Sequence, residues 1–319
     1  MAFVSGAQVW AEQQGAVPPN APPPQRVVSM NLCTDQLAML IAAPGQLVSV
    51  SYLAADSRSS AMAEEAADYP ANHGLAEEIF LLDPDLVIAG TFTTRATVSM
   101  LRRLGIPVVE FAPADSLAAV HERLAKMGRV LGRTDVAAGI AARFDADLQA
   151  GRAAGAARSE GSGRPRAALY FAGGYTLGRA TLAGSVLDAA GLANIAMEAG
   201  YDDGGTMPLE ELVALAPELV VTGRAYDAPA EAQALFDHPA LMALQRSAGT
   251  APVADRDWVC GTPFVVAAVR RLVAARDALP AVPQRAGRGE ESGDPQGQEG
   301  SPAPRQENGP GTGPEYRDE

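Results

Sequence analysis

The sequence predicts an α/β protein with two lobes, each a parallel sheet flanked by helices, joined by a helical connector. Three observations lead there. Short β-rich runs alternate with helical patterns through the middle of the chain, as stacked sheet and helix layers require. A unit of helix, Pro, acidic residue, strand and Gly occurs once from Ala76 and again from Leu209, so two similar substructures follow one another. Between the copies run two successive apolar stripes at helical spacing.

In chain order, Arg26-Val27-Val28-Ser29-Met30 reads as a first strand, followed by a helix over 34–42. Leu47-Val48-Ser49-Val50, Leu86-Val87-Ile88-Ala89 and Pro107-Val108-Val109-Glu110-Phe111 read as further strands. From Ser116, the residues Leu117, Val120, Leu124, Met127 and Leu131 recur at steps of three and four, which draws one helical face. Gly132 and Thr134 punctuate it, and Val136, Ile140, Phe144 and Leu148 continue on a second helix. A polar Gly/Ser/Arg segment, 151–164, leads to a strand at Ala167-Ala168-Leu169-Tyr170-Phe171. The repeat pairs Ala76-Glu77-Glu78-Ile79-Phe80-Leu81-Leu82-Asp83-Pro84-Asp85-Leu86-Val87-Ile88-Ala89-Gly90 with Leu209-Glu210-Glu211-Leu212-Val213-Ala214-Leu215-Ala216-Pro217-Glu218-Leu219-Val220-Val221-Thr222-Gly223. In each copy a helix runs into Pro and stops, and the apolar run behind it suits a central parallel strand.

The chain accordingly divides into a leader (1–25), an N-terminal lobe (26–115), a helical connector (116–163), a C-terminal lobe (164–280) and a tail (281–319). Residues 1–11 are mildly apolar and end in Val9-Trp10-Ala11, the trailing end of a truncated signal peptide on one reading and an irregular tail on another. The Pro-rich stretch behind them reads as an extended leader. The tail holds 6 Pro and 8 Gly in 39 residues, too few large apolar side chains to offset its ordering entropy, and is expected to be disordered.

With 25 basic against 38 acidic residues the net charge is −13, which excludes nucleic acid as the default partner. No run approaches the roughly 18 to 20 apolar residues that span a bilayer. Cys33 and Cys260 are too few for a disulfide scaffold and lack metal-ligand spacing. Two unpaired thiols is the favoured reading, and one bridge between them the alternative.

Catalytic arrangements are absent. His73, His121 and His238 lie apart, His121 in the outward register of its helix and His238 before Pro239 in a turn. No nucleophile elbow, HExxH or P-loop occurs. Gly173-Gly174-Tyr175-Thr176-Leu177-Gly178 lacks the GxGxxG spacing and reads as a flexible strand-to-helix turn. Binding is better supported, because ligands of open α/β sheets lie beyond the carboxyl ends of the strands and two such lobes form a cleft. The residues behind the strands are Asn31, Leu32, Cys33 and Thr34, then Ser51 and Tyr52, then Thr91, Phe92 and Arg95. In the second lobe they are Gly173, Gly174 and Tyr175, then Arg224 and Tyr226, and finally Trp258, Cys260 and Thr262. Their aromatic rings suit a large amphipathic ligand.

Arg26-Val27-Val28-Ser29-Met30-Asn31, the two Glu-bearing helices with their Pro-acid-Leu-Val strands, and the segment from Asp257-Trp258 to Arg271 resemble the periplasmic substrate-binding proteins of ABC importers for iron complexes and cobalamin. The resemblance covers 26–279. It implies a class III binding-protein fold, two Rossmann-like lobes bridged by a single long α-helix, here over 135–153, with little hinge motion. It implies a monomer, export to the periplasm and no enzymatic activity. No resident cofactor or metal is implied, the ligand itself being an iron chelate or corrinoid. The partners are this small molecule, an ABC permease and, through it, an ATPase. One surface Glu on each lobe docks onto permease Arg residues in that family, and Glu77 and Glu210 match, with Glu78 and Glu211 one position along as alternatives. Arg95, Arg179 and Arg224 would favour an anionic ferric siderophore, ranked first. Corrinoids use aromatic walls, and with 5% aromatics and 2 Trp cobalamin ranks second. Heme would call for an axial Tyr or His, for which Tyr52, Tyr175 and His73 exist. A bare Zn or Mn ion lacks the His it would need. The rival class is a cytoplasmic α/β enzyme.

Overall fold

A computed structural model describes residues 22–156, 163–223 and 236–280. The first lobe runs β1 (Val27–Ser29), α1 (Leu32–Ile41), β2 (Leu47–Ser51), α2 (Ala63–Ala66), β3 (Ala71–Asn72), α3 (Ala76–Leu81), β4 (Leu86–Gly90), α4 (Arg95–Arg103) and β5 (Val108–Phe111). Its strands pair in parallel in the order β3-β2-β1-β4-β5, so the winding reverses between β1 and β4. Two helices follow, α5 (Leu117–Leu131) and α6 (Thr134–Ala156). The second lobe comprises β6 (Arg166–Leu169), β7 (Tyr175–Thr176), α7 (Leu182–Ala189), β8 (Ala193–Asn194), β9 (Gly205–Thr206), α8 (Leu209–Leu215), β10 (Leu219–Gly223), α9 (Pro239–Ser247), β11 (Gly249–Val253) and α10 (Val265–Asp277). Its main sheet is parallel in the order β11-β10-β6-β8, reversing between β6 and β10.

The helical stripe from Ser116 forms α5 as its caps dictate: the Ser116 hydroxyl accepts from Ala119 N, and Gly132 turns left-handed at φ 67°. The first helix begins two residues earlier than its pattern predicts, because the Asn31 side chain caps it by accepting from Cys33 N at 3.1 Å. Strands β3, β8 and β11 carry too little apolar sequence to be read in advance. Indeed β11 contains Pro252, tolerated because the strand lies at the sheet edge. The expected flexible turn at 173–178 is more ordered than that, since Tyr175–Thr176 pairs antiparallel with Gly205–Thr206. Nor is His121 simply outward: its Nε2 lies 2.9 Å from Asp145 Oδ1 and its ring packs on Phe144, tying α5 to α6.

Strand alternation sorts the buried residues into three cores. Val27, Ile88 and Val109 of the first sheet and Leu169, Leu219 and Val221 of the second face one continuous core shared with α1, α5, α6, α7 and α10. The alternate residues Val28, Val87 and Val108 face a separate core under α3 and α4. Ala168, Tyr170 and Val220 do the same under α8 and α9. The lobes are thus fused along one face by a common apolar layer that includes the long helix, while each keeps its own outer layer.

The sequence repeat is also a repeat of geometry. Ahead of β1, Arg26 donates to the carbonyls of Leu82 and Asp83, and the Asp85 carboxylate accepts from Arg26 N. At the first residue of β6, Arg166 donates to the carbonyl of Ala216, and Glu218 accepts from Arg166 N. Both helix ends place a residue in the left-handed region before the Pro, Asp83 at φ 48° and Ala216 at φ 45°. An L-residue pays roughly 1–2 kcal/mol there, and Ala lacks the side-chain oxygen with which Asp offsets it. Ala216→Gly is therefore expected to raise stability by about 0.5–1 kcal/mol, seen as a higher urea midpoint at unchanged slope. A lower midpoint would contradict the strain assigned to Ala216.

Candidate ligand site at the carboxyl edges of the sheets

In a parallel sheet every strand delivers its following residue to the same edge. In the first lobe that edge holds Asn31 and Cys33 after β1, Tyr52 after β2, His73 after β3 and Phe92 after β4. Asn31 caps α1 and its amide packs against Gly90, where an added Cβ would lie 3.0 Å from Asn31 Nδ2. Beneath this edge lies a buried polar layer. Thr34 is fully buried, its hydroxyl bonded to the Asn31 carbonyl and 2.8 Å from Ser29 Oγ, so it braces the helix start rather than facing a ligand. Asp35 is buried under Ser51, whose hydroxyl and backbone N–H both donate to Oδ2. Asn72 donates to Ser29 O and Ser49 Oγ, pinning β3 below His73.

Above this layer, Tyr52 and His73 stack, with ring centroids 5.3 Å apart and planes at 21°. Glu78, from the first turn of α3, accepts the His73 backbone N–H at 2.7 Å and lies 3.2 Å from its Nδ1. Partial desolvation pushes the Glu78 carboxyl up, but the hydrogen bonds from His73 outweigh it and hold the group below its ordinary value. With Nδ1 engaged, Nε2 is the ring nitrogen left to meet a ligand. Tyr52 is 52% exposed and Phe92 87%, both large apolar faces presented to solvent. Arg95, exposed at the start of α4, forms no ion pair among the described residues.

In the second lobe, Gly173 and Gly174 turn with φ of 70° and 74°, a path that a side chain would oppose, and deliver Tyr175 to the edge at 46% exposure. Arg179 is exposed just ahead of α7. Arg224 and Tyr226 lie outside the described residues. Trp258 does not line the edge with its ring: it is buried and packs edge-on against Phe171 at 5.7 Å, anchoring the loop that carries it. Asp255 went unread in the sequence, one acid among 38 acidic residues. It stands 3.7 Å from the position a Cβ would take on Gly223, where the second sheet reverses, and burial pushes its carboxyl up.

The two-thiol reading of the cysteines is overturned. Cys33 and Cys260 form a disulfide with Cα atoms 5.1 Å apart, which withdraws Cys33 as a thiol ligand. The sequence could not show this, because 227 residues separate them. Glu77 and Glu210 each occupy the second position of their helix, exposed and in no ion pair among the described residues, whereas the neighbouring acids are engaged, Glu78 by His73 and Glu211 by the Tyr201 hydroxyl at 2.8 Å. Among the described residues no three His, Cys, Asp or Glu converge to hold a bare metal ion, and no helix is long and apolar enough to cross a membrane.

Residues 27–248 match a family model described as periplasmic binding protein. A cobalamin-binding protein of Halobacterium salinarum is 32% identical over 205 residues, 64% of this chain and 55% of that one. The chain spans about half the length of the curated relatives it matches. Among solved structures, the periplasmic heme-binding protein RhuT of Roseiflexus sp. RS-1 is 22% identical, with a TM-score of 0.65 over 79% of this chain and 97% of that one. The periplasmic vitamin B12 binding protein BtuF of Vibrio cholerae is 20% identical, with a TM-score of 0.59 over 80% and 97%. At these identities the likeness concerns the fold, the class III arrangement of two parallel-sheet lobes bridged by a long helix.

Burial pushes the Asp35 carboxyl from 3.8 up to about 7, against the hydrogen bonds from Ser29 and Ser51. Between those limits the folded protein holds a proton that the unfolded chain has released. Stability therefore falls as pH rises across this window, by up to about 1.4 kcal/mol per unit, and levels off above it. Asp35→Asn keeps an acceptor for Ser51 without the titration, so urea unfolding from pH 4 to 8 is expected to show a flatter profile in the variant. Parallel profiles would remove Asp35 as the cause.

Proposed function

This chain belongs to the periplasmic binding protein family, and on that premise we propose that it is the substrate-binding component of an ABC importer whose cargo is a metal tetrapyrrole, a corrinoid ahead of a heme. The family binds solutes and performs no reaction on them, and a periplasmic location goes with it. The observation that carries the finer reading is the Tyr52–His73 stack with Glu78 behind it. A metal held in a corrin or porphyrin keeps axial positions that an imidazole Nε2 can fill, and a carboxylate on Nδ1 raises the basicity of that nitrogen. Iron wrapped by a hexadentate siderophore offers no such position. The cations that ranked a siderophore first lend less support: Arg95 and Arg179 are exposed and Arg224 lies outside the described residues. The exposed faces of Tyr52, Phe92 and Tyr175 suit the edges of a flat macrocycle. Similarity to the cobalamin-binding protein of Halobacterium salinarum favours the corrinoid.

Delivery to the permease is assigned to Glu77 and Glu210. Equivalent in the repeat, exposed and in no ion pair among the described residues, they offer one carboxylate per lobe to membrane-protein Arg residues. Glu78 and Glu211 are less suited, being engaged within their own lobes.

Titration of the protein with aquocobalamin, and separately with hemin, is expected to shift the visible absorption bands as Nε2 takes an axial position. His73→Ala should lose the shift and at least about tenfold in affinity, or ~1.4 kcal/mol. Binding of a ferric hydroxamate alone, indifferent to His73, would sink the tetrapyrrole reading. For docking, charge reversal at both positions (E77R/E210R) should abolish uptake in reconstituted vesicles while ligand affinity stays within twofold. A fall in affinity instead would place these carboxylates at the ligand site.

A further inference from the structure

We propose that residues 254–264 form a strap across the cleft edge that sets the spacing of the two lobes, with the Cys33–Cys260 bond as its fastening and Gly261 as its spacer. The strap belongs to the second lobe. It joins β11 to α10, and Trp258, buried against Phe171, roots it there. Yet three successive parts of it contact the first lobe. Arg256 N donates to the Arg58 carbonyl at 3.1 Å, in the segment after β2. Cys260 is bonded to Cys33 at the start of α1, just behind β1. Gly261 lies against Ala114, behind β5, so closely that an added Cβ would stand 2.0 Å from the Ala114 Cβ. The receiving segment is itself held, the buried Arg123 donating to Ala112 O at 2.7 Å.

All three contacts fall at the carboxyl edge of the first sheet, the edge to which a ligand must come. The core shared by α1, α5, α6, α7 and α10 connects the lobes along one face of the sheets. An attachment confined to one face leaves the opposite edge least restrained against the lobes tilting apart, and a second attachment at that edge restricts the tilt. Of the strap's contacts only the disulfide is covalent. A lone hydrogen bond exchanges readily with water, and the Gly261 contact fixes distance but does not resist separation. Cys33, Cys260 and Gly261 are therefore positioning residues for the cleft, and the bond holds the cleft at one width with or without ligand.

The test uses ligand-free protein, so it stands or fails separately from the tetrapyrrole reading. Residual dipolar couplings are measured for backbone amides of the two sheets and fitted lobe by lobe. The oxidised protein should give one alignment tensor for both lobes. C33S/C260S should give two, with the chemical shifts inside each lobe retained. Gly261→Ala, with the disulfide verified intact by its resistance to alkylation, should rotate one tensor against the other. Adding Ala114→Gly removes the opposing methyl and should restore the wild-type tensor, a rescue that a merely local packing defect elsewhere would not show. If C33S/C260S fails to fold, the Gly261→Ala pair alone decides. A single unchanged tensor in C33S/C260S, or in Gly261→Ala, would overturn the proposal.

Discussion

The first turn of α1 is where the structure makes most of its demands on the fewest residues. Asn31 must cap the helix and fill the space beside Gly90, Cys33 must reach across to Cys260, Thr34 must close on the Ser29 hydroxyl, and Asp35 must receive both donors of Ser51. These requirements lie within five residues because β1 is central in its sheet and the winding reverses beside it. A helix that starts at that point presents its N-terminal N–H groups to the carboxyl edge of the sheet, while its first side chains brace that edge from beneath. Moving the cap by one residue would rotate Cys33 away from the strap and lift Asp35 from under Ser51. The polar layer beneath the edge is thus the support for the exposed layer above it: Ser51 precedes Tyr52, and Asn72 precedes His73, so the stacked rings rest on residues that the buried network holds.

The same chemistry is used twice. An Arg at the entry to the first strand of each lobe donates to carbonyls at the end of the helix before Pro, and the acid behind that Pro returns to the Arg backbone. Because this lock joins the helix end to the central strand, it fixes where the start of the helix stands relative to the sheet. Glu77 and Glu210 inherit matching positions from it, and Glu78 and Glu211 inherit matching opportunities for internal bonds. Their different partners, a His ring in one lobe and a Tyr hydroxyl in the other, mark the point where the repeat gives way to specialisation.

Much of this was legible in advance because it is local. Strands of four or five apolar residues, the stripe from Leu117 to Leu131 and the Pro-terminated helices announce themselves through periodicity and caps, and the residues behind the strands follow from parallel topology. What was not legible depends on distant parts of the chain. Trp258 looked like a wall residue until its burial against Phe171 made it a root for the strap. The cysteines looked unpaired because nothing near Cys33 in sequence mentions Cys260. His73 looked isolated, since its stacking partner is contributed by another strand and only Glu78 lies nearby in the chain. A two-residue strand such as β3 carries no pattern of its own, and its place is set by the pairing of Asn72 with the strands beside it.

The division into three cores bears on how such a protein could signal to a membrane partner. Helices α3 and α8, which carry Glu77 and Glu210, pack on the outer cores, one belonging wholly to each lobe. The distance between the two carboxylates therefore follows the relative orientation of the lobes and little else. The shared core fixes that orientation along one face, and the proposed strap fixes it at the opposite requirement, the cleft edge. With both in place, a partner that touched the two Glu residues would meet the same spacing whether or not a ligand was bound. Information about loading would then have to pass through the cleft mouth itself, where Tyr52, His73, Phe92 and Tyr175 are exposed and where a bound chelate would cover them.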